Sequence, residues 1–316
     1  MTSLEPSLKS SYYLLNPEVA KAKRFGQPIV ALKSTVITHG LPQPQNLELA
    51  RAMESIVREG GAFPATIALM DGKVKVGLSD VDLENLAKAE SPRKISLRDF
   101  GIALAKKETG GTTVAATMFV AEKQGIQVFA TGGIGGVHRG NSMDVSTDLV
   151  QLGRCPVLVV CAGAKAILDL PATMEYLETQ GVPVIGYKTN ELPAFYSTSS
   201  GIKLKARVDF AEEAAKIAKA QWELGIKSGV LLVVPPPEEL AIEHEIVEGW
   251  IELALARAEK DGIRGNAITP YLLERVSKLS EGQSMQTNIA LLQNNARVAA
   301  EVAGYLAAGL PEKQLI

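Results

Sequence analysis

Residues 156–169 read PVLVVCAGAKAILD. The apolar run PVLVVCAG (156–163) has the length and composition of a strand buried in a parallel sheet. Ala162, Gly163 and Ala164 lead to Lys165. From there KAILDLPATMEYLETQG (165–181) reads as a helix ending at a glycine. The rest of the chain repeats this alternation. Strand candidates are PIVALKSTV (28–36), QVFATGG (127–133), PVIGYKT (183–189) and GVLLVVPPP (229–237). Helix candidates are NLELARAMESIVREG (46–60), TVAATMFVAEKQG (113–125) and FAEEAAKIAKAQWELG (210–225). The stretch from about 238 onward also reads as helical. Alternating strands and helices predict an α/β fold, a mostly parallel sheet covered on both faces. One segment departs from this. IALMDGKVKVG (67–77) carries Asp71-Gly72 between alternating residues, a hairpin signal, so the sheet is expected to be mixed or joined by a small second sheet.

The 316 residues carry a formal net charge of −2, and 46% of them are hydrophobic. That supports one large domain over 1–316 with a sizeable core. It argues against a nucleic-acid polymer as partner, which calls for a basic balance. No apolar run reaches the length of a membrane span, and MTSLEPSLKSSYYLLNPEV lacks a signal-peptide core, so a cytoplasmic location is the expectation. Cys155 and Cys161 read as reduced, buried thiols. His39, His138 and His244 share no metal-ligand spacing, and His244 reads as a solvated helix residue.

In open α/β sheets, ligands gather beyond the C-terminal ends of the strands. Lys165 stands there among small apolar neighbours. Desolvation would leave its amine neutral and able to form a Schiff base; the alternative is a surface lysine with its head in water. In NSMDVSTDLVQLG (141–153), Asp144 and Asp148 are four apart, which places both on one helix face. They suit a hard divalent ion or proton transfer; equally, one is a cap and one is solvated. TGGIGGVHRG (131–140) matches neither GxGxxG nor a Walker A motif, and reads as an anion cradle or a tight turn. ETGGTTVAATMF (108–119) puts Thr112 and Thr113 at a helix start, a phosphate site or an ordinary cap. ALKSTVITHG (31–40) ends a strand with Lys33 and His39, a pocket wall.

Taken in order, these segments resemble one family. ALKSTVITHG, PATIALMDGKVKVGL, GGTTVAATMF, VFATGGIGGVHRG, MDVSTDL, VVCAGAKAILDLPATMEYLET, PVIGYKTNELPAFY and TNIALLQNNARVAAEVA are similar to the pseudouridine-5′-phosphate glycosidases, which include a protein encoded beside indigoidine synthesis genes. The likeness runs from about residue 28 to 306 and leaves 1–27 as an N-terminal extension, where PEVAKAKRFG is expected to form a helix against the body or a neighbouring subunit. It implies a three-layer α/β/α sandwich assembled as a homotrimer. It implies reversible cleavage of pseudouridine 5′-phosphate to uracil and ribose 5-phosphate. Lys165 falls on the nucleophile, Asp148 on the proton-handling aspartate, and Asp144 on the anchor of a largely hydrated Mn²⁺. Asn288 falls on the nucleotide-contacting asparagine. Lys94, Thr112, Thr131, Ser146 and His138 fall on phosphate-contacting positions. The resemblance also marks a departure: Lys33 stands where the family has a glutamate that assists acid–base steps. A lysine there is expected to leave turnover weak or absent while ligand binding survives. The alternatives are a silent nucleotide- or sugar-phosphate-binding homologue, and a C-glycosynthase joining ribose 5-phosphate to another aromatic.

Overall fold

The computed structural model describes residues 11–263 and 268–308. Its strands, in chain order, are β1 (Tyr13–Leu15), β2 (Ile29–Lys33), β3 (Phe63–Met70), β4 (Lys73–Val76), β5 (Arg93–Ile95), β6 (Gly110–Thr112) and β7 (Val128–Ala130). They continue with β8 (Val137–His138), β9 (Asn141–Val145), β10 (Leu158–Cys161), β11 (Leu168–Asp169), β12 (Val184–Tyr187), β13 (Ala206–Val208) and β14 (Val230–Val233). The main sheet runs β1-β4-β3-β2-β7-β10-β14-β12-β13, with β5 and β6 attached at β3. Every neighbouring pair from β3 to β13 along this path is parallel. β4 pairs β3 antiparallel through the Asp71-Gly72 turn, where both residues have positive φ, as a type I′ turn requires. A second sheet, β11-β8-β9, also forms, so the hairpin segment makes the main sheet mixed and a small sheet exists besides.

The helices are α1 (Pro17–Arg24), α2 (Thr35–His39), α3 (Gln45–Glu59), α4 (Asp80–Ala87), α5 (Phe100–Ala105) and α6 (Val114–Gln124). They continue with α7 (Thr147–Leu152), α8 (Leu170–Thr179), α9 (Ala211–Glu223), α10 (His244–Lys260), α11 (Ile268–Leu279) and α12 (Gln283–Ala307). α3, α9 and α12 pack together on one face of the sheet, while α6, α7 and α8 follow one another on the other, giving three layers. The N-terminal helix α1 packs on β2 and β3 of its own chain. α6 is apolar almost all round and accordingly almost wholly buried between the sheet and α7. The central strands are apolar runs because both their faces are covered. All four residues of β10 and of β14 are buried, as is Phe129 in β7, whose burial contributes roughly 1.5–3 kcal/mol.

The direction of chain travel locates the crevice. From β2 the chain crosses through α3 to β3 on one side. From β7 it crosses through α7 to β10 on the other. The reversal lies between β2 and β7, and a right-handed crossover places the two helices on opposite faces. The loops beyond the ends of β2 and β7 therefore part from each other and leave a site.

Candidate active site

β2 ends at Lys33, β7 runs on into Thr131, and β10 runs on through Ala162–Ala164 to Lys165. The three strands are parallel and adjacent, with β7 in the middle, so these residues open on one edge of the sheet. Once β2 turns into α2, β6 takes its place beside β3, pairing antiparallel at Ala68–Gly111. This inset is close-fitting. The Thr112 amide donates to Ser34 Oγ at 2.9 Å, and the Ser34 and Thr112 hydroxyls both donate to the Ile67 carbonyl. A side chain on Gly111 would strike the Ser34 backbone. Thr112 is fully buried in β6 with its hydroxyl committed to Ile67 and Thr117. Thr113 caps α6 by accepting the Ala116 amide.

The glycine loop after β7 is a close-packed junction. A Cβ on Gly135 would fall on the Ser146 side chain, one on Gly136 on Thr173, and one on Gly133 on the Phe195 ring. Only hydrogen in place of a side chain lets the loop lie this near its neighbours. The closeness creates a clamp. Asp148 is buried, and its carboxylate oxygens accept the Ala115 amide at 2.9 Å and the Gly135 amide at 2.8 Å. Ala115 lies in the first turn of α6, so the carboxylate also sits at that helix's positive end. Ser146 caps α7 and accepts the Asp148 amide at 3.2 Å.

Three of the expectations differ from the structure. Asp144 and Asp148 do not share a helix face: Asp144 lies in β9, and the helix begins only at Thr147, after the Ser146 cap. Nor does a helix begin at Lys165. Pro171 has no amide to give a helix interior and fits only its first turn, and the Asp169 side chain accepts the Ala172 amide, so α8 starts at Leu170. Lys165 instead occupies a turn held on both sides. Its amide donates to Ile134 O at 3.1 Å, its carbonyl accepts the Leu168 amide at 3.0 Å, and the Ile134 amide donates to Gly163 O at 3.1 Å. Gly163 has φ +85°, and a Cβ there would also meet Pro193 O, so this turn needs glycine. His244, read as solvated, is half-buried at the start of α10.

The amines respond to this setting. Burial lowers the Lys165 pKa below the ordinary lysine value; Lys94 adds to the shift, and Asp148 opposes it. Burial pushes Lys33 down to about 7, with the charges of Lys165 and Lys94 acting the same way and Asp148 against. The charges of Lys94 and Asp148 thus bear on both Lys33 and Lys165, which share one crevice. The ammonium of Lys94 arrives from β5, whose exposed central residue it is, and also lowers His39 after burial has done so. Lowering the pKa makes the neutral form of an amine, a nucleophile or a base, easier to reach.

The remaining site residues lie around this centre. Thr131 is fully buried at the end of β7, and its carbonyl accepts the Asn295 amide at 2.8 Å. Asn288 lies seven residues before Asn295 on α12, on the same helix face and in the half that extends beyond the strand ends. His138 pairs with Leu168 and Asn141 in the small sheet. Asp144 is half-buried. Among the described residues, no group of three or more His, Cys, Asp or Glu side chains could hold a metal ion. A single carboxylate fits only a hard cation that keeps most of its water. Cys155 and Cys161 are free and buried, and no described helix is long and apolar enough to cross a membrane.

Sequence reasoning missed the two amides that clamp Asp148, because a backbone amide leaves no mark in residue identity. It also missed Asn295, whose place between buried Leu291, Leu292 and Ala296 was the available signal of a buried polar anchor.

A mostly parallel sheet with desolvated lysines and a clamped carboxylate at its switch point defines an α/β/α scaffold with an amine-bearing crevice. The family model described as indigoidine synthase A like protein matches residues 18–305, and the chain belongs to that family. It is 57% identical to the pseudouridine-5′-phosphate glycosidase of Herpetosiphon aurantiacus over 92% of this chain and 96% of that one. Its structure resembles the prealnumycin C-glycosynthase AlnA in complex with ribulose 5-phosphate, with TM-score 0.89 and 42% identity over 95% and 98% of the two chains. It also resembles an indigoidine synthase A-like protein from Thermotoga maritima, with TM-score 0.88 and 34% identity over 96% and 100%.

Proposed function

We propose that this chain cleaves pseudouridine 5′-phosphate reversibly to uracil and ribose 5-phosphate through a Schiff base on Lys165, and that Lys33 slows it. The observation that carries the reading is half-buried Lys165, whose backbone is held in a fixed turn and whose amine is lowered in pKa by desolvation. Relatives named pseudouridine-5′-phosphate glycosidase support the substrate. A carbon–carbon glycoside offers no leaving oxygen to protonate, so the two-carboxylate route of ordinary glycosidases does not apply. The C1′–O4′ bond opens instead, with a proton passing to O4′. The neutral Lys165 amine adds to C1′ and loses a proton. Its lone pair then expels uracil, whose C5 takes up a proton, leaving an iminium at C1′. Water hydrolyses the iminium and releases ribose 5-phosphate. Reversing these steps makes the C-nucleotide.

Asp148 suits the proton transfers, since its position is fixed by two amides rather than by a flexible partner. Lys94, Ser146 and His138 surround the phosphate in this reading, with the fully buried Thr112 and Thr131 holding the backbone behind them and Asn288 reaching the nucleotide from α12. Mn²⁺, anchored by Asp144 and otherwise hydrated, would supply positive charge to the bound anion. The reading includes a homotrimer, as the resemblance implies.

Lys33 is the point of impairment. With a pKa of about 7 it is charged only part of the time at neutral pH, and it never supplies the negative charge of the glutamate implied at this position. Losing a positioned acid or base costs roughly 10²–10⁴-fold in rate. The test is uracil release from pseudouridine 5′-phosphate with Mn²⁺, comparing this chain with Lys33→Glu. The variant is expected to be faster by roughly that factor. Equal rates would refute the account of Lys33. No release by either would favour the silent sugar-phosphate-binding homologue or the C-glycosynthase reading, the latter supported by the likeness to AlnA.

A further inference from the structure

We propose that Arg139 and Glu248 form a positioning pair that fastens the Lys165 turn to helix α10 and so sets the aim of the amine. Arg139 lies in the tight turn between β8 and β9. Its Nε donates to Leu168 O at 3.2 Å and its Nη2 to Ala166 O at 2.8 Å. Ala166 directly follows Lys165, and the Leu168 amide closes the turn on the Lys165 carbonyl. One guanidinium therefore grips two carbonyls of the turn that carries the nucleophile. Its other side forms a two-point pair with Glu248, Nη1 to Oε2 at 2.7 Å and Nη2 to Oε1 at 2.8 Å. The two side chains are 26% and 27% exposed, enough burial to hold this geometry better than a surface pair would.

The arrangement closes a ring of supports. Ile134, in the glycine loop, accepts from the Lys165 amide on one side; Arg139, in the turn after β8, bonds the carbonyls beyond it. Glu248 fixes the guanidinium plane from a separate helix. A lysine at 139 has one nitrogen and no fork, so it cannot hold two carbonyls and both carboxylate oxygens together. The pair acts through the backbone and is assigned no contact with substrate.

The proposal rests on Lys165 being the nucleophile, and its test separates the two ideas. The chain, Arg139→Lys, Glu248→Gln and the double variant are incubated with ribose 5-phosphate and cyanoborohydride. The rate of adduct formation at Lys165 is followed by peptide mass spectrometry, with thermal unfolding as a folding check. The singles are expected to lose about tenfold or more in the saturating rate with half-saturation nearly unchanged, and the double to lose no more than the worse single, because the residues act as a unit. Unchanged rates in folded variants, or a loss confined to half-saturation, would overturn the proposal. If the parent chain forms no adduct, the nucleophile reading fails. The positioning claim is then decided by the acetylation rate of Lys165 relative to the exposed Lys205: a change in both singles supports it, and no change overturns it.

Discussion

The Gly135 amide donates to the Asp148 carboxylate at 2.8 Å, and this bond joins the glycine loop to helix α7, which carries Asp148, the proposed proton-handling group. It exists because Gly135 has no side chain: a Cβ would lie 2.6 Å from Ser146 Cβ and 2.9 Å from Asp148 Oδ2. Gly135→Ala should push the loop off the carboxylate. We expect destabilisation of about 1–3 kcal/mol from overpacking, with at least a tenfold loss of activity beside it. Denaturant unfolding and uracil release on the same sample, made in the Lys33→Glu background, check this. An alanine variant with parental stability and rate would show that the junction tolerates a methyl group.

Asp148→Asn keeps the shape and removes the charge. An amide has one oxygen, so one of the two backbone donors, Ala115 or Gly135, must face an NH₂ group. Leaving a buried donor unpaired costs about 1–3 kcal/mol. Loss of the proton carrier should lower the rate by roughly 10²–10⁴-fold. In the Lys33→Glu background, stability and kcat should both fall. A drop in stability with kcat intact would leave Asp148 as a structural clamp only.

Lys33 should make stability depend on pH in a stated direction. Its folded pKa is about 7, below the ordinary lysine value of 10.5. Between these values the unfolded chain binds a proton that the folded chain does not, so this group's contribution to stability falls as pH drops from 10.5 to about 7. Below about 7 the full penalty applies. Lys33→Met, which keeps the stem and removes the amine, should therefore be more stable at pH 7 by roughly 2–4 kcal/mol, with the difference shrinking toward pH 10.5. Urea midpoints at several pH values test it. A constant difference across the range would mean that Lys33 does not titrate as described.

Much of the fold was legible because buried parallel strands are apolar runs. The five apolar strand candidates contain β2, β7, β10, β12 and β14, and Asp71-Gly72 marked the hairpin. Helix starts were read less well where a polar cap and a proline outweighed periodicity. Asp169 and Pro171 moved the start of α8 five residues past Lys165, and Ser146 separated Asp144 from the helix of Asp148. Lys33 and Lys165 could be placed at strand ends from the sequence. Their sharing of one crevice with Lys94 and Asp148 could not, because it depends on β7 lying between β2 and β10 and on β6 slipping in beside β3. The Arg139–Glu248 pair joins residues 109 positions apart, which only the folded chain brings together.

The central claim is that Lys165 is the amine that captures the sugar. The chain and its Lys33→Glu variant should each be incubated with ribose 5-phosphate, reduced with cyanoborohydride, digested and mapped by mass spectrometry. The account predicts one ribose 5-phosphate adduct on Lys165 in both proteins, and none there in Lys165→Arg. An adduct on Lys33 instead of Lys165, or no adduct in either protein, would contradict it.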